Sequence, residues 1–135
     1  MRLTQQQIDT IKATVHAVLG EGVRLLMVFG SCAKGTARPD SDLDMAVDAG
    51  QSLNPLMYMS LVGALAEITG RPVDLVDLRT VGEPLLGQIL QHGQRIDGSD
   101  EVQAQYLTRH LIDMADFVPL QQRILQERRT AWIGQ

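Results

Sequence analysis

Apolar and polar positions along the chain alternate between two periods. From Thr4 to Leu19 the apolar residues Ile8, Ile11, Val15 and Val18 recur at spacings of three and four, which predicts an amphipathic helix that Gly20 and Gly22 bring to an end. The run Val23 to Phe29 is short, almost wholly apolar and rich in strand formers, so it predicts a strand buried on both faces. Asp42 to Val47 alternates carboxylate and apolar residues over its first half and predicts a second strand, with Asp42 and Asp44 on one side of it. Asn54 as N-cap, Pro55 at the first helical position and Gly70 as stop frame a second helix, whose buried stripe is Met57, Leu61, Ala64, Leu65 and Ile68.

Pro72 to Leu78 reads as a third strand. Thr80 and Glu83 form a capping-box pattern opening a helix to about Gln91, and Gln94 to Asp97 is a short fourth strand. Beyond Ser99 the pattern is helical, with Val102, Tyr106, Leu111, Met114 and Phe117 inward, until Pro119 interrupts and a last amphipathic helix runs towards Trp132. The expected architecture is α/β (α+β): a small mixed sheet flanked by helices, with residues 1–98 as the core domain and 99–135 as a helical extension packed on it. Tyr106, Phe117, Leu120, Ile124, Leu125 and Trp132 are expected to cover the domain's own sheet, with a partner-binding face as the alternative.

At 135 residues the chain has the size of one domain. Sixteen acidic residues against 12 basic ones give a net charge of -4, which argues against a broad phosphate-binding surface for nucleic acid. One cysteine, Cys32, permits no internal disulfide, and no apolar run approaches a membrane span, so a cytoplasmic protein is expected. The histidines, His16, His92 and His110, are scattered without ligand spacing.

The chemistry concentrates between Gly30 and Asp44, GSCAKGTARPDSDLD. Two carboxylates at i and i+2 on a strand repel unless a cation sits between them, and hard oxygen ligands suit Mg²⁺ with phosphate and water as its other ligands. Gly30 lets the backbone approach a ligand closely, and Ser31 opens a turn whose free N–H groups attract phosphate oxygens. Ten residues then separate this pair from Asp42.

This stretch resembles the signature of the DNA polymerase beta-like nucleotidyltransferases, in particular the minimal (MNT) class, over roughly residues 5 to 98. Within that class, short chains are similar to MntA-like antitoxins of HEPN/MNT toxin–antitoxin pairs. The resemblance implies ATP as co-substrate, Mg²⁺ bound by Asp42 and Asp44, a HEPN-domain ribonuclease toxin as partner in a hetero-oligomer, and AMP transfer to its tyrosine. Non-catalytic neutralisation by binding, or transfer to a small molecule, are the competing functions.

The resemblance also implies a third carboxylate on a neighbouring strand that takes a proton or holds metal. Asp74 and Asp77 compete for this role and, three apart, they face opposite sides of a strand, so at most one serves; Asp74, in mid-strand, is preferred. Gly30 and Ser31 would cradle phosphate. Lys34 stands where the family more often has arginine, and it or Arg38 is either a phosphate contact or a solvated side chain. Ser41 either orients Asp42 or ends the turn.

Overall fold

The computed structural model describes residues 2–38 and 40–134, with the side chains of Phe117 and Val118 outside the description. Four strands form one sheet in the order β3-β2-β1-β4. They are β1 (Leu25–Phe29), β2 (Leu43–Asp48), β3 (Val73–Asp77) and β4 (Gln94–Gly98). β1 runs antiparallel to both β2 and β4, whereas β2 and β3 are parallel. The parallel pair requires a crossover, and the helix between them supplies it.

Two helices cover one face. α1 (Gln5–Leu19) is opened by Thr4, whose hydroxyl accepts the Gln7 amide while the Gln7 side chain accepts the Thr4 amide, a reciprocal capping box. A one-turn α2 (Ser31–Lys34) follows β1, and α3 (Pro55–Thr69) has Asn54 as N-cap and Gly70 as its left-handed stop. Ile8, Ile11 and Val15 of α1 and Leu61 and Leu65 of α3 pack on Leu26, Val28, Leu43, Met45, Val47 and Leu75. Complete burial of side chains such as Ile11, Leu61 and Leu65 contributes about 1.5–3 kcal/mol each. Ile68, expected in this stripe, is exposed.

The other face is covered by α4 (Leu85–His92) and the start of α5 (Asp100–Ile133). Leu86, Ile89 and Tyr106 pack there on Leu25, Met27, Ala46 and Leu78. β1 is therefore buried on both sides, as its sequence predicts.

Three local expectations are corrected. Thr80 and Glu83 do not form a capping box: Thr80 instead sits in a turn held by the Asp77 carbonyl, and α4 starts later, at Leu85. The Glu83 carboxylate is engaged by the Gly87 amide at 3.1 Å and by His110 Nδ1 at 2.6 Å. Pro119 does not interrupt α5, which is continuous over 34 residues. The ring removes one N–H from the ladder in a stretch where Ala115, four residues earlier, is exposed.

The third correction concerns the extension. α5 packs on the domain through Val102, Tyr106, Arg109 and His110, but Leu111, Leu120, Ile124, Leu125 and Trp132 are exposed and do not cover the sheet. Phe117, placed with them by its spacing, lies outside the described side chains. A helix that continues past a small sheet has no further surface to lie on, whatever its apolar content. No helix among the described residues is long and apolar enough to cross a membrane.

Candidate active site

β1 ends at Phe29, and Gly30 turns the chain into α2 with φ 69° and ψ -147°, a backbone conformation that side chains strongly disfavour. A second requirement coincides with the first: a Cβ at Gly30 would collide with the Asp44 carboxylate. Phe29 pairs with Asp44 across β1 and β2, so this close approach is built into the strand register. Gly35, left-handed at φ 77°, then ends the single turn of α2.

The parallel pairing of β2 with β3 sets Asp44 directly opposite Asp74. Directly opposite residues in a sheet share a face, and Asp42 lies two residues before Asp44, so the three acids gather at one corner of the sheet. Their proximity has an electrostatic signature. Burial raises the Asp44 carboxyl above the usual carboxylate range, and repulsion from Asp74 and then Asp42 raises it further. Among the described residues no three His, Cys, Asp or Glu side chains close into a ready-made metal cage. The donor set of hard oxygens, crowded and mutually repelling, is nevertheless the chemistry that a divalent cation relieves.

Asp77 belongs elsewhere. It falls on the opposite face from Asp74, where its carboxylate accepts the Leu53 amide at 3.0 Å and the Arg79 amide at 2.9 Å. Both oxygens are thus occupied in holding loops together.

A cleft of about 370 Å³ opens beside Asp44 and is lined by Phe29, Gly30, Lys34, Gln88 and His92. Lys34 is exposed at its rim. Gln88 and His92 reach the cleft from α4; the sequence singles out neither for the site, His92 being grouped there with histidines that lack ligand spacing. Their only signal was their position four apart, on one side of a helix that packs beside β1. A larger hollow of about 430 Å³ lies along the exposed end of α5, by Arg123, Glu127 and Thr130, remote from the acids.

Ser31 is half-buried at the start of α2. Ser41 ends a turn: its hydroxyl accepts the Arg38 amide at 2.7 Å, and Arg71 donates to the carbonyls of Arg38 and Ser41. This clamp holds the segment that leads into Asp42. Arg38 itself is exposed, and Cys32 is buried with its thiol facing the Asp42 carbonyl at 4.0 Å, so it is a core residue. The remaining histidines are hydrogen-bonded to carboxylates, His16 to Asp97 and His110 to Glu83, both at 2.6 Å.

The sequence model of the polymerase beta nucleotidyltransferases matches residues 10–102, which spans both the strand-turn-strand signature and β3. The chain belongs to this family. It is similar to two proteins named protein adenylyltransferase MntA. The one from Shewanella oneidensis is 34% identical over 58% of this chain and 57% of its own length. The one from Thermococcus cleftensis is 38% identical over 55% of this chain and 77% of its own. The chain thus spans little more than half the length of the Shewanella relative. In fold it is similar to the MNT antitoxin solved in complex with tri-AMPylated Shewanella oneidensis HEPN toxin. That likeness has a TM-score of 0.76 at 22% identity and covers 94% of this chain and 99% of the other.

Proposed function

We propose that this protein transfers AMP from ATP to a tyrosine hydroxyl of a HEPN-domain toxin, in the cytoplasm, and thereby acts as its antitoxin. The observation that carries the reading is the placement of Asp44 against Gly30 and opposite Asp74. Family membership supports it, as do the names of the two adenylyltransferase relatives and the AMPylated toxin bound to a protein of this fold.

In this reading Asp42 and Asp44 would hold Mg²⁺, with Asp74 beside them. Bound there, the ion would supply charge neutralisation on the nucleotide phosphates and offset the burial and the Asp74 and Asp42 repulsion that raise the Asp44 carboxyl. Ser31 and the first amides of α2, which have no partner within so short a helix, receive phosphate oxygens, and Lys34 adds a positive charge at the cleft rim. The tyrosine oxygen attacks the α-phosphorus, Asp74 takes the hydroxyl proton, and the bond to the leaving pyrophosphate breaks. AMP ends as a phosphodiester on the tyrosine.

The test is incubation of the chain with α-labelled ATP, Mg²⁺ and the product of the adjacent reading frame as the candidate toxin, in parallel with an Asp42→Ala, Asp44→Ala variant. Label on a toxin tyrosine, absent with the variant, is the expected result. A toxin that stays unlabelled yet is bound and inhibited equally by both forms would replace this reading with neutralisation by binding alone.

A further inference from the structure

At the far end of β2 the same sheet face carries a second polar site, four residues and roughly 13 Å from Asp44. Its centre is Asp48, a fully buried carboxylate whose oxygens accept the Tyr106 hydroxyl at 2.7 Å and the Gly50 amide at 2.8 Å. Around it stand three guanidinium groups. Arg24 and Arg79 approach Asp48 only to 3.8 and 3.9 Å, beyond the 2.7–2.9 Å of a charge-assisted hydrogen bond. Arg109 lies 5.2 Å from the Tyr106 ring centroid and donates to the carbonyls of Leu78 and Val81, which fixes it in place.

The arrangement holds more positive charge than the buried acid requires. Asp48 already has its hydrogen bonds, and three cations facing one carboxylate leave a surplus of two. The Arg79 guanidinium has no hydrogen-bond acceptor among the described residues, and Arg24 uses one N–H on Gln105 at 3.3 Å. Each guanidinium carries five donors, so most remain available in a rigid fork suited to oxyanions. Tyr106 remains a phenol that donates to Asp48, because burial and the adjoining carboxylate both push its ionisation up.

These groups line a cavity of about 190 Å³ with Gln105 at its edge. At about 30 Å³ per water it has room for a tetrahedral oxyanion and some water, but it is smaller than the ~300 Å³ at which pockets begin to enclose drug-sized ligands. We propose that the Arg24–Arg79–Arg109 cavity beside Asp48 is a binding site for a phosphate dianion, free or borne by a small molecule, separate from the acidic corner of the sheet. The proposal does not depend on the adenylyl-transfer reading, since none of its residues belongs to that corner.

The test is calorimetric titration of the full chain with inorganic phosphate at constant ionic strength. One site is expected, with sulfate competing and acetate not. Arg79→Gln, a surface change that spares the fold, should weaken binding about tenfold or more, as the loss of charge-assisted donors does. Asp48→Asn should tighten it by removing the opposing charge, a response that a purely structural cluster would not give. The Asp42→Asn, Asp44→Asn variant should bind phosphate as the wild type does. Phenyl phosphate in place of phosphate separates the sources: equal binding points to a phosphate carried on a molecule, and weaker binding to the free ion. No saturable phosphate binding, binding untouched by Arg79→Gln, or binding lost in the Asp42, Asp44 variant would each overturn the proposal.

Discussion

Gly30→Ala should separate the backbone and the chemical demands at one position. The residue sits at φ 69°, ψ -147°, close to a region that only glycine populates readily, so the new side chain costs about 1–3 kcal/mol in strain. Its methyl group would also meet the Asp44 carboxylate, which must then retreat by about 1 Å, and misplacement of that size typically costs about 100-fold in rate. The expected outcome is a folded protein with a melting temperature lowered by several degrees and transfer to the partner reduced about 100-fold. Gly63→Ala is the control. Gly63 lies in α3 with open space around its Cβ position, so alanine there should stabilise by about 0.5–1 kcal/mol and leave transfer unchanged. Wild-type transfer by a folded Gly30→Ala protein would refute the claim that Asp44 must occupy the space glycine leaves.

The two competing acids of β3 should respond oppositely. Asp74→Asn should lose transfer by two orders of magnitude or more while the melting temperature holds, whereas Asp77→Ala should keep the chemistry and lose about 1–2 kcal/mol, because the half-buried Leu53 amide and the exposed Arg79 amide lose their acceptor. Denaturation and label transfer measured on both variants check this. Tyr106→Phe, which strips the buried Asp48 of a donor, should destabilise by about 1–3 kcal/mol, while Trp132→Ala on the exposed end of α5 should stay within about 0.5 kcal/mol in urea unfolding. Burial opposes ionisation of Asp97, but hydrogen bonds from His16 and the Gly98 amide, with the charge of Lys12, outweigh it and hold the carboxyl below its usual range. A depressed carboxyl contributes stability above its unfolded value, about 3.9, and that stability is lost as pH falls through the folded value. Thermal melts should therefore show the wild type losing its advantage over Asp97→Asn below about pH 4, and an equal gap at every pH would contradict the assignment.

Local signals carried most of the elements, because caps and periodicity act within a few residues. Asn54, Pro55 and Gly70 bound α3 wherever it packs, and the apolar run of β1 implies burial on both sides. The misread segments are those where a distant partner decides. Glu83 had the right spacing to cap a helix, yet His110, 27 residues on, takes its carboxylate. Apolar residues past Leu111 have helical periodicity, but periodicity does not say whether a surface exists to receive them. Pro119 was read as a break because the sequence does not show that its surroundings are solvent.

The acidic corner divides in the same way. Asp42 and Asp44 are visible two apart in sequence, although β2 begins only at Leu43, after Asp42, and alternation alone frames the choice between Asp74 and Asp77. Their placement came from the β2–β3 register, a tertiary fact. Gln88 and His92 line the cleft through helix packing, which their i, i+4 spacing alone does not reveal, and Asp48 meets Tyr106 across 58 residues.

The central claim is that the crowded acids beside Gly30 form a cation-dependent nucleotide site. The most direct measurement is calorimetric titration of the chain with a non-hydrolysable ATP analogue, with and without Mg²⁺, in the wild type and in Asp42→Asn, Asp44→Asn. Mg²⁺ should strengthen nucleotide binding at least tenfold in the wild type, and the variant should lose this dependence. Nucleotide affinity indifferent to Mg²⁺, or equally Mg²⁺-dependent in both proteins, would contradict it.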